Sequence, residues 1–448
     1  MLSALVNSFK IPDLKRRLII TGLLIAVYRI GCYVPTPGID GSALAEFFNR
    51  IAKSQGGALF GIINMFSGGA MERLTIFALG IMPYISSSII LQLLTAVIPS
   101  LEKLAKEGKA GYEVINQYTR YATVALAVIQ SFFIALWLEN PARFEGLRIV
   151  MYPGWGFRIL TVLTLTTGTI FIMWLGEQIQ EIGIGNGISL VITAGIISRI
   201  PAAFHQLFVL LSPSSGARGE IQPFTLLIMA ALLVGVVLAV VLITQGQRKI
   251  PVQYARRIVG RKIYGGQSTY IPLKVDTAGV IAIIFAQSII LFPATLASFI
   301  PNPAFQRFAQ ALVRGHLLYT LLYALLIIFF CYFYTAIVFN PLDLSENMKK
   351  YGGFIPGIRP GNSTAEFLDF VMTRITLAGA TFIACIAIFP DFIMAWLKVP
   401  YLVASFFGGT GILIIVGVML DTIKQIESHL LMHHYEGFIK SGRIRGRR

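Results

Sequence analysis

The polar side chains set deepest in the apolar segments of this chain are neutral: Ser86, Ser87, Ser88 and Gln92 in one stretch, Gln130 in the next, Gln287 and Ser288 farther on. Serine and glutamine hydrogen-bond helix to helix, but they do not relay protons or hold ions as membrane carboxylates do. The segment centres are nearly free of ionisable groups, and Arg29, Asp276, Asp421 and Lys424 fall near segment ends. Groups suited to catalysis or coordination are dispersed. Cys32, Cys331 and Cys385 lie within or at the end of apolar runs without metal-ligand spacing, and the paired His433 and His434 sit in a basic tail. Gly183-Ile-Gly-Asn-Gly187 lacks the Lys-Ser/Thr of a phosphate-binding loop and follows no strand, so it reads as a tight turn between closely packed helices. The sequence therefore predicts no cofactor, no metal site and no catalytic residue.

The elements that carry these residues belong to a membrane protein. Of 448 residues 56% are hydrophobic and 13% charged, more apolar surface than a soluble globule hides. Mean hydropathy is +0.74. A helical crossing takes about 20 apolar residues, and ten segments qualify: 18–34, 75–98, 119–138, 158–176, 188–211, 223–244, 277–300, 317–339, 375–396 and 402–423. An even number puts both chain ends on one side. Lys10, Lys15, Arg16 and Arg17 precede the first segment, while Lys424, Lys440, Arg443, Arg445, Arg447 and Arg448 follow the last. That charge bias predicts both ends, with loops 99–118, 177–187, 245–276 and 340–374, to be cytoplasmic. The first segment contains Arg29 and runs into Pro35-Thr-Pro37 without a small-residue cleavage pattern, so it is expected to stay as a span.

Residues 59–98 are apolar almost throughout, about twice what one crossing needs. The break falls at Ser67-Gly68-Gly69, leaving a short piece before it and a full helix after it. Two readings stay open for the short piece: a half-length helix that enters a water-facing funnel and turns back, or an interfacial helix on the outer surface. Glu72 and Arg73, near the end of 59–74, read as solvated funnel residues or as contacts of that segment. In loop 245–276, Ile250, Val252 and Tyr254 alternate with other residues before Gly260, and Gly265-Gly266 punctuates the return, which predicts a protruding hairpin arm rich in Lys and Arg.

Several runs resemble the SecY family of bacterial Sec translocon channel subunits, and the resemblance covers nearly the whole chain. They are Thr75-Ile-Phe-Ala-Leu-Gly-Ile-Met-Pro-Tyr-Ile-Ser-Ser-Ser-Ile-Ile90, Gly183-Ile-Gly-Asn-Gly-Ile-Ser189, Ile250-Pro-Val-Gln-Tyr-Ala-Arg-Arg257, Phe354-Ile-Pro-Gly-Ile-Arg-Pro-Gly361 and Phe407-Gly-Gly-Thr410. The resemblance implies an all-α fold of ten transmembrane helices in two pseudo-symmetric inverted halves with a short re-entrant plug helix. Residues 1–211 would form the first half with plug 59–74, 212–426 the second, and 427–448 a basic tail. It also implies a pore ring of Ile81, Ile85, Ile188, Ile192, Ile284 and Ile414, above a plug that includes Phe60, Ile62, Ile63, Asn64, Met65, Phe66, Ser67, Gly68 and Gly69. Ser87, Ser88, Gln92, Gln130, Gln287 and Ser288 fall on the helices of the family's lateral gate. One departure stands out: Val280-Ile-Ala-Ile-Ile-Phe285 lacks a proline expected near Ala282, which weakens the placing of Ile284.

The function so implied is a protein-conducting channel in the bacterial inner membrane, passing unfolded secretory chains outward and releasing transmembrane segments laterally. Implied partners are SecE, SecG, the SecA motor ATPase, the ribosome with its nascent chain, signal peptides and membrane lipids. Arg256, Arg257, Arg261, Lys262 and Arg359 are the expected docking residues, and energy would come from the motor or the ribosome. The alternatives are a small-solute secondary transporter, which calls for a midplane ionisable residue, and an intramembrane enzyme, which calls for paired catalytic or metal-binding groups within the spans.

Overall fold

A computed structural model describes residues 11–51, 64–140, 144, 149–211, 223–254, 257–259, 262–264, 268–299, 307, 311–312, 317–397, 404 and 409–441. The architecture is mostly helical. In chain order the first part holds α1 (Pro12–Gly31), α2 (Gly41–Ile51), α3 (Met82–Val97), α4 (Pro99–Lys106), α5 (Lys109–Leu138), α6 (Trp155–Ile182), α7 (Gly187–Ile197), α8 (Ile200–Leu211) and α9 (Pro223–Gln245). Then come strands β1 (Gln247–Tyr254), β2 (Arg257–Val259), β3 (Lys262–Tyr264) and β4 (Ser268–Lys274). The remainder is α10 (Gly279–Phe299), α11 (Leu317–Val338), α12 (Pro341–Lys350), β5 (Gly353–Phe354), α13 (Asn362–Leu397) and α14 (Thr410–Ser441).

Each of the ten apolar segments falls at least in part on described helix. Among the described residues, six helices are individually long and apolar enough to cross a membrane, or seven if the bent pair α3 and α4 is one span. That bend is 98°. It occurs where Ile98 is extended and Pro99 follows, because proline drives its predecessor out of helical geometry. The segment 75–98 is the clearest difference from expectation. Its helix begins at Met82, and residues 67–81 form successive turns. Glycine supplies the reversal: Gly68 and Gly69 have φ of 65° and 89°, in the left-handed region that side chains disfavour. Leu74 shares that region at φ 42°, held by its fully buried side chain and by Thr36 N–H, which donates to its carbonyl at 3.1 Å. The expected proline is absent from the start of α10, but Pro293 lies inside that helix.

The turn at Gly183–Gly187 does what its composition predicts. Asn186 caps α7 by accepting Ser189 N–H at 3.1 Å, and a Cβ on Gly187 would stand 1.8 Å from the Gly176 carbonyl oxygen. Leu14, Ile184 and Ile426 pack together there, joining α1 and α14 to the turn. The arm is a sheet of order β4-β1-β5, antiparallel, with Ile250 opposite Ile271 and Gln253 opposite Ser268. β5 comes from loop 340–374, so the two long loops build one body. Ile250, Val252 and Leu273 of the sheet pack on Met348, Ile355, Leu368, Val371 and Met372.

Candidate functional site

The largest apolar cluster lies where helices of both parts of the chain meet. α3 contributes Ile85 and Ile89, with Ile81 just before its first turn. Residues four apart share a helix face, so these three point one way. α7 contributes Ile192 and Ile196 on the same spacing, α10 contributes Ile284, and α14 contributes Ile414. Relative exposure is 5% or less for Ile81, Ile85, Ile192, Ile284 and Ile414, and Ile188 packs partly buried against them. Five buried isoleucines from four helices therefore share one apolar cluster, with Ile188 packed at its partly exposed edge.

Against this cluster packs the segment 64–74, helical at 64–66 and turning from 67 on, with Met65, Phe66 and Ala70 buried in the cluster. Phe60, Ile62 and Ile63 lie outside the described residues. Asn64 and Glu72 clasp each other: Asn64 Nδ2 donates to Glu72 Oε2 at 2.9 Å, and Glu72 N–H donates to Asn64 Oδ1 at 3.1 Å. Ser67 Oγ donates to the Asn64 carbonyl at 3.3 Å and accepts Met71 N–H at 3.2 Å. Two arginines reach in from outside the segment. Arg29 of α1 donates to the Gly68 carbonyl at 3.0 Å, and Arg199, just past α7, donates to Glu72 Oε2 at 3.0 Å. Glu72 is thus not a solvated funnel residue, since its carboxylate is bonded on both flanks and mostly shielded. Arg73 does remain exposed, with its guanidinium 5.4 Å from the Tyr33 ring centre. Sequence alone did not disclose the part of Arg199, because nothing local links it to a carboxylate 127 residues away.

The neutral polar groups turn mostly inward on their own helices. Ser87 Oγ donates to the Pro83 carbonyl at 2.9 Å, Gln92 Nε2 to Ser88 Oγ at 3.2 Å, and Ser288 Oγ to the Ile284 carbonyl at 2.7 Å. A serine inside a helix finds the carbonyl four residues back more readily than a partner across an interface. Gln287 is different, accepting from Tyr323 of α11 at 3.3 Å, while its Nε2 is buried without a partner among the described residues. Gln130 is buried on α5. α10 packs against α3, α5 and α11, which brings the helices of all six residues together.

At the end of the bundle that carries the arm, a cavity of about 430 Å³ opens between α7, α9, α10, α13 and α14. Asn186, Ser189, Lys274, Asp276, Asp421 and Lys424 line it. Loss of hydration pushes the Asp276 carboxyl up to about 6; its bond from Gly279 N–H, at 2.7 Å, opposes the shift and the Asp421 charge adds to it. Arg359 is exposed beyond β5, and its carbonyl accepts from Thr364 Oγ1 at 2.9 Å. Arg257 and Lys262 lie on β2 and β3 with side chains outside the described set, and Arg256 and Arg261 are outside it altogether.

A family model described as SecY matches residues 75–423. The chain belongs to the SecY family. Its similar relatives include the protein translocase subunit SecY of Escherichia coli (strain K12), 47% identical over 438 residues, 97% of this chain and 96% of that one. The protein translocase subunit SecY of Thermotoga maritima is 42% identical over 452 aligned residues that span both chains completely. Among solved structures, one described as a protein conducting channel aligns with a TM-score of 0.68 at 17% identity, covering 97% of this chain and 95% of that chain. Sec61 from a canine ribosome-channel complex of the endoplasmic reticulum aligns at 0.64 and 16% identity, with the same coverage. At those identities the likeness is one of fold. Family membership and the apolar helices together make this a multi-pass membrane protein.

Proposed function

We propose a working geometry for this chain, which by its family is a protein-conducting channel subunit rather than a catalyst. The observation that carries it is the convergence of Ile81, Ile85, Ile188, Ile192, Ile284 and Ile414 on one buried cluster with a turn-rich segment packed against it. Branched aliphatic side chains offer no ligands to ions, exclude water from a closed constriction and deform around a passing polypeptide. These six form the constriction between two halves, 1–211 and 212–426, of a ten-span bundle whose termini are cytoplasmic. The cavity at the arm end is the inner mouth. The segment 59–74 is the plug. A solved SecY structure described as one whose plug domain stabilises the closed state and maintains a membrane seal aligns at a TM-score of 0.59 and 18% identity over 97% of this chain, which supports carrying that role here.

Ser87, Ser88, Gln92, Gln130, Gln287 and Ser288 line a lateral gate where α3 and α5 meet α10 and α11. Ser87, Gln92 and Ser288 bond within their own helices and Gln287 bonds Tyr323 on its own side, so apolar packing holds the gate shut and an apolar signal segment can replace it. The arm and the loop carrying β5 dock the machine that supplies energy, SecA or the ribosome, through Arg256, Arg257, Arg261, Lys262 and Arg359. Two relatives of this fold are ribosome-bound channels, Sec61 and the yeast Ssh1 complex. SecE and SecG complete the assembly in the bacterial inner membrane. The reading as a small-solute transporter gains no support, because the matched relatives are translocase subunits. Reconstitution with SecE and SecA in liposomes tests the proposal: a secretory precursor becomes protected from protease only with ATP. Uptake of a small solute without such protection would overturn it. In the same assay Arg359→Glu removes motor-driven transport while leaving the assembled channel intact; unchanged transport would remove Arg359 from the docking surface.

A further inference from the structure

Resting on the reading of the 64–74 segment as the plug, the structure assigns a further role to two charged residues that meet only in the fold. Glu72 Oε2 accepts two donors, Asn64 Nδ2 at 2.9 Å and an Arg199 guanidinium nitrogen at 3.0 Å. Asn64 lies within the segment, whereas Arg199 belongs to the far end of α7, the helix that also carries Ile188 and Ile192. Both side chains of the ion pair are 21% exposed, shielded enough to outweigh a surface pair and open enough to escape the full desolvation cost of a buried one. The neighbouring Ser198 Oγ donates to the Gly68 carbonyl at 3.4 Å, so the end of α7 grips the segment at two points. Arg73 stands apart, exposed over the Tyr33 ring.

We propose that Glu72 and Arg199 form a charge latch that positions the plug, fixing the threshold at which an entering chain displaces it and so the range of substrates the channel admits. Apolar contacts from Met65 and Phe66 survive small displacements, but a bond between fixed atoms does not. The latch opens all at once. It also couples plug to ring, because a chain that spreads Ile188 and Ile192 moves the helix to which Arg199 is attached.

The test uses membrane vesicles holding the complete translocase. Three quantities are read: export of a precursor with an intact signal, export of one whose signal has a charge in its apolar core, and passive ion leak. Glu72→Gln and Arg199→Gln are each expected to raise the second and third roughly fivefold, about 1 kcal/mol at 1.4 kcal/mol per tenfold, with the first unchanged. Arg73→Gln stays at the unmodified level. The exchange E72R/R199E brings both raised quantities back toward that level, which a merely structural role would not do. Should the exchanged protein fail to accumulate, the double variant E72Q/R199Q decides. Partners give a double no worse than either single, and independent residues give the product of the two effects. Single variants indistinguishable from the parent, an exchange without recovery, a multiplying double, or an equal effect from Arg73→Gln would each overturn the latch. Failure of the unmodified protein to export the intact precursor would instead overturn the channel reading itself.

Discussion

The isoleucine cluster and the segment packed against it are both buried in apolar contacts, but only the segment adds a set of directional bonds. Ile85, Ile192 and Ile414 belong to one apolar cluster, where dispersion and exclusion of water, and no directional side-chain bond, hold them. Residues 64–74 are pinned by direction: the Asn64–Glu72 clasp, Arg199 on the carboxylate and Arg29 on the Gly68 carbonyl. The difference suits a division of labour between the proposed constriction and the proposed plug. An apolar constriction re-forms around whatever passes, so it provides sealing without a fixed threshold. A hydrogen-bonded segment has a defined seat, so it provides a threshold without adapting its shape.

Substitutions that strike the two regions unequally break or sharpen this contrast. The largest effect is expected from Gly187→Val, because even its Cβ meets the Gly176 carbonyl oxygen at 1.8 Å and must push α6 and α7 apart. Since α7 carries Ile188 and Ile192 and leads to Arg199, both regions should fail together, at a cost of more than about 3 kcal/mol. Thermal unfolding of the purified protein checks this, and an unchanged midpoint would contradict the close packing. Ile192→Asn comes next. It trades a buried aliphatic group, 1% exposed, for an amide in an apolar cluster, a loss of about 2 to 4 kcal/mol. Ion leak should rise and precursors with poor signals should pass, whereas a normal leak would remove Ile192 from the constriction.

The smallest effect tests a site in neither region. The Asp276 carboxyl titrates at about 6 against an ordinary 3.8, so the folded state holds that proton more tightly than the unfolded chain does. Its contribution to stability is therefore most favourable below pH 4 and is lost as pH rises through about 6. Asp276→Asn keeps an acceptor for Gly279 N–H and removes the charge. It should raise stability by about 1 kcal/mol at pH 8, discounted because the residue is only half-buried, and should flatten the dependence between pH 4 and 6. Leak and signal selectivity should not move. A change in either would tie the cavity beside Asp276 to the closure proposed for the isoleucine cluster and the segment.

The parts legible in the sequence were those written in local pattern. Ile250, Val252 and Tyr254 alternate, and they form the strand that the alternation implies, with Ile250 and Val252 buried. Gly183–Gly187 announced a tight turn and forms one. Helix α3 starts seven residues later than its apolar run, since Thr75-Ile-Phe-Ala-Leu is as apolar as a span, and only Gly80 and Pro83 hint at the delay. Helix α14 also runs to Ser441, well past the end of its apolar segment, because hydropathy marks where a helix leaves the membrane and polar residues carry the helix onward in water. What no local pattern held was pairing at a distance. β5 is two residues long yet joins two loops, and Glu72 has the look of a solvated acid until Arg199 comes beside it.

The central claim, that polypeptide passes through the six-isoleucine cluster, is tested most directly by photocrosslinking a precursor arrested midway. Crosslinkers placed singly at Ile85, Ile192 and Ile414 should each capture the arrested chain, while one at Leu227, exposed on α9, should not. Capture at Leu227 with none at the three isoleucines would contradict the account.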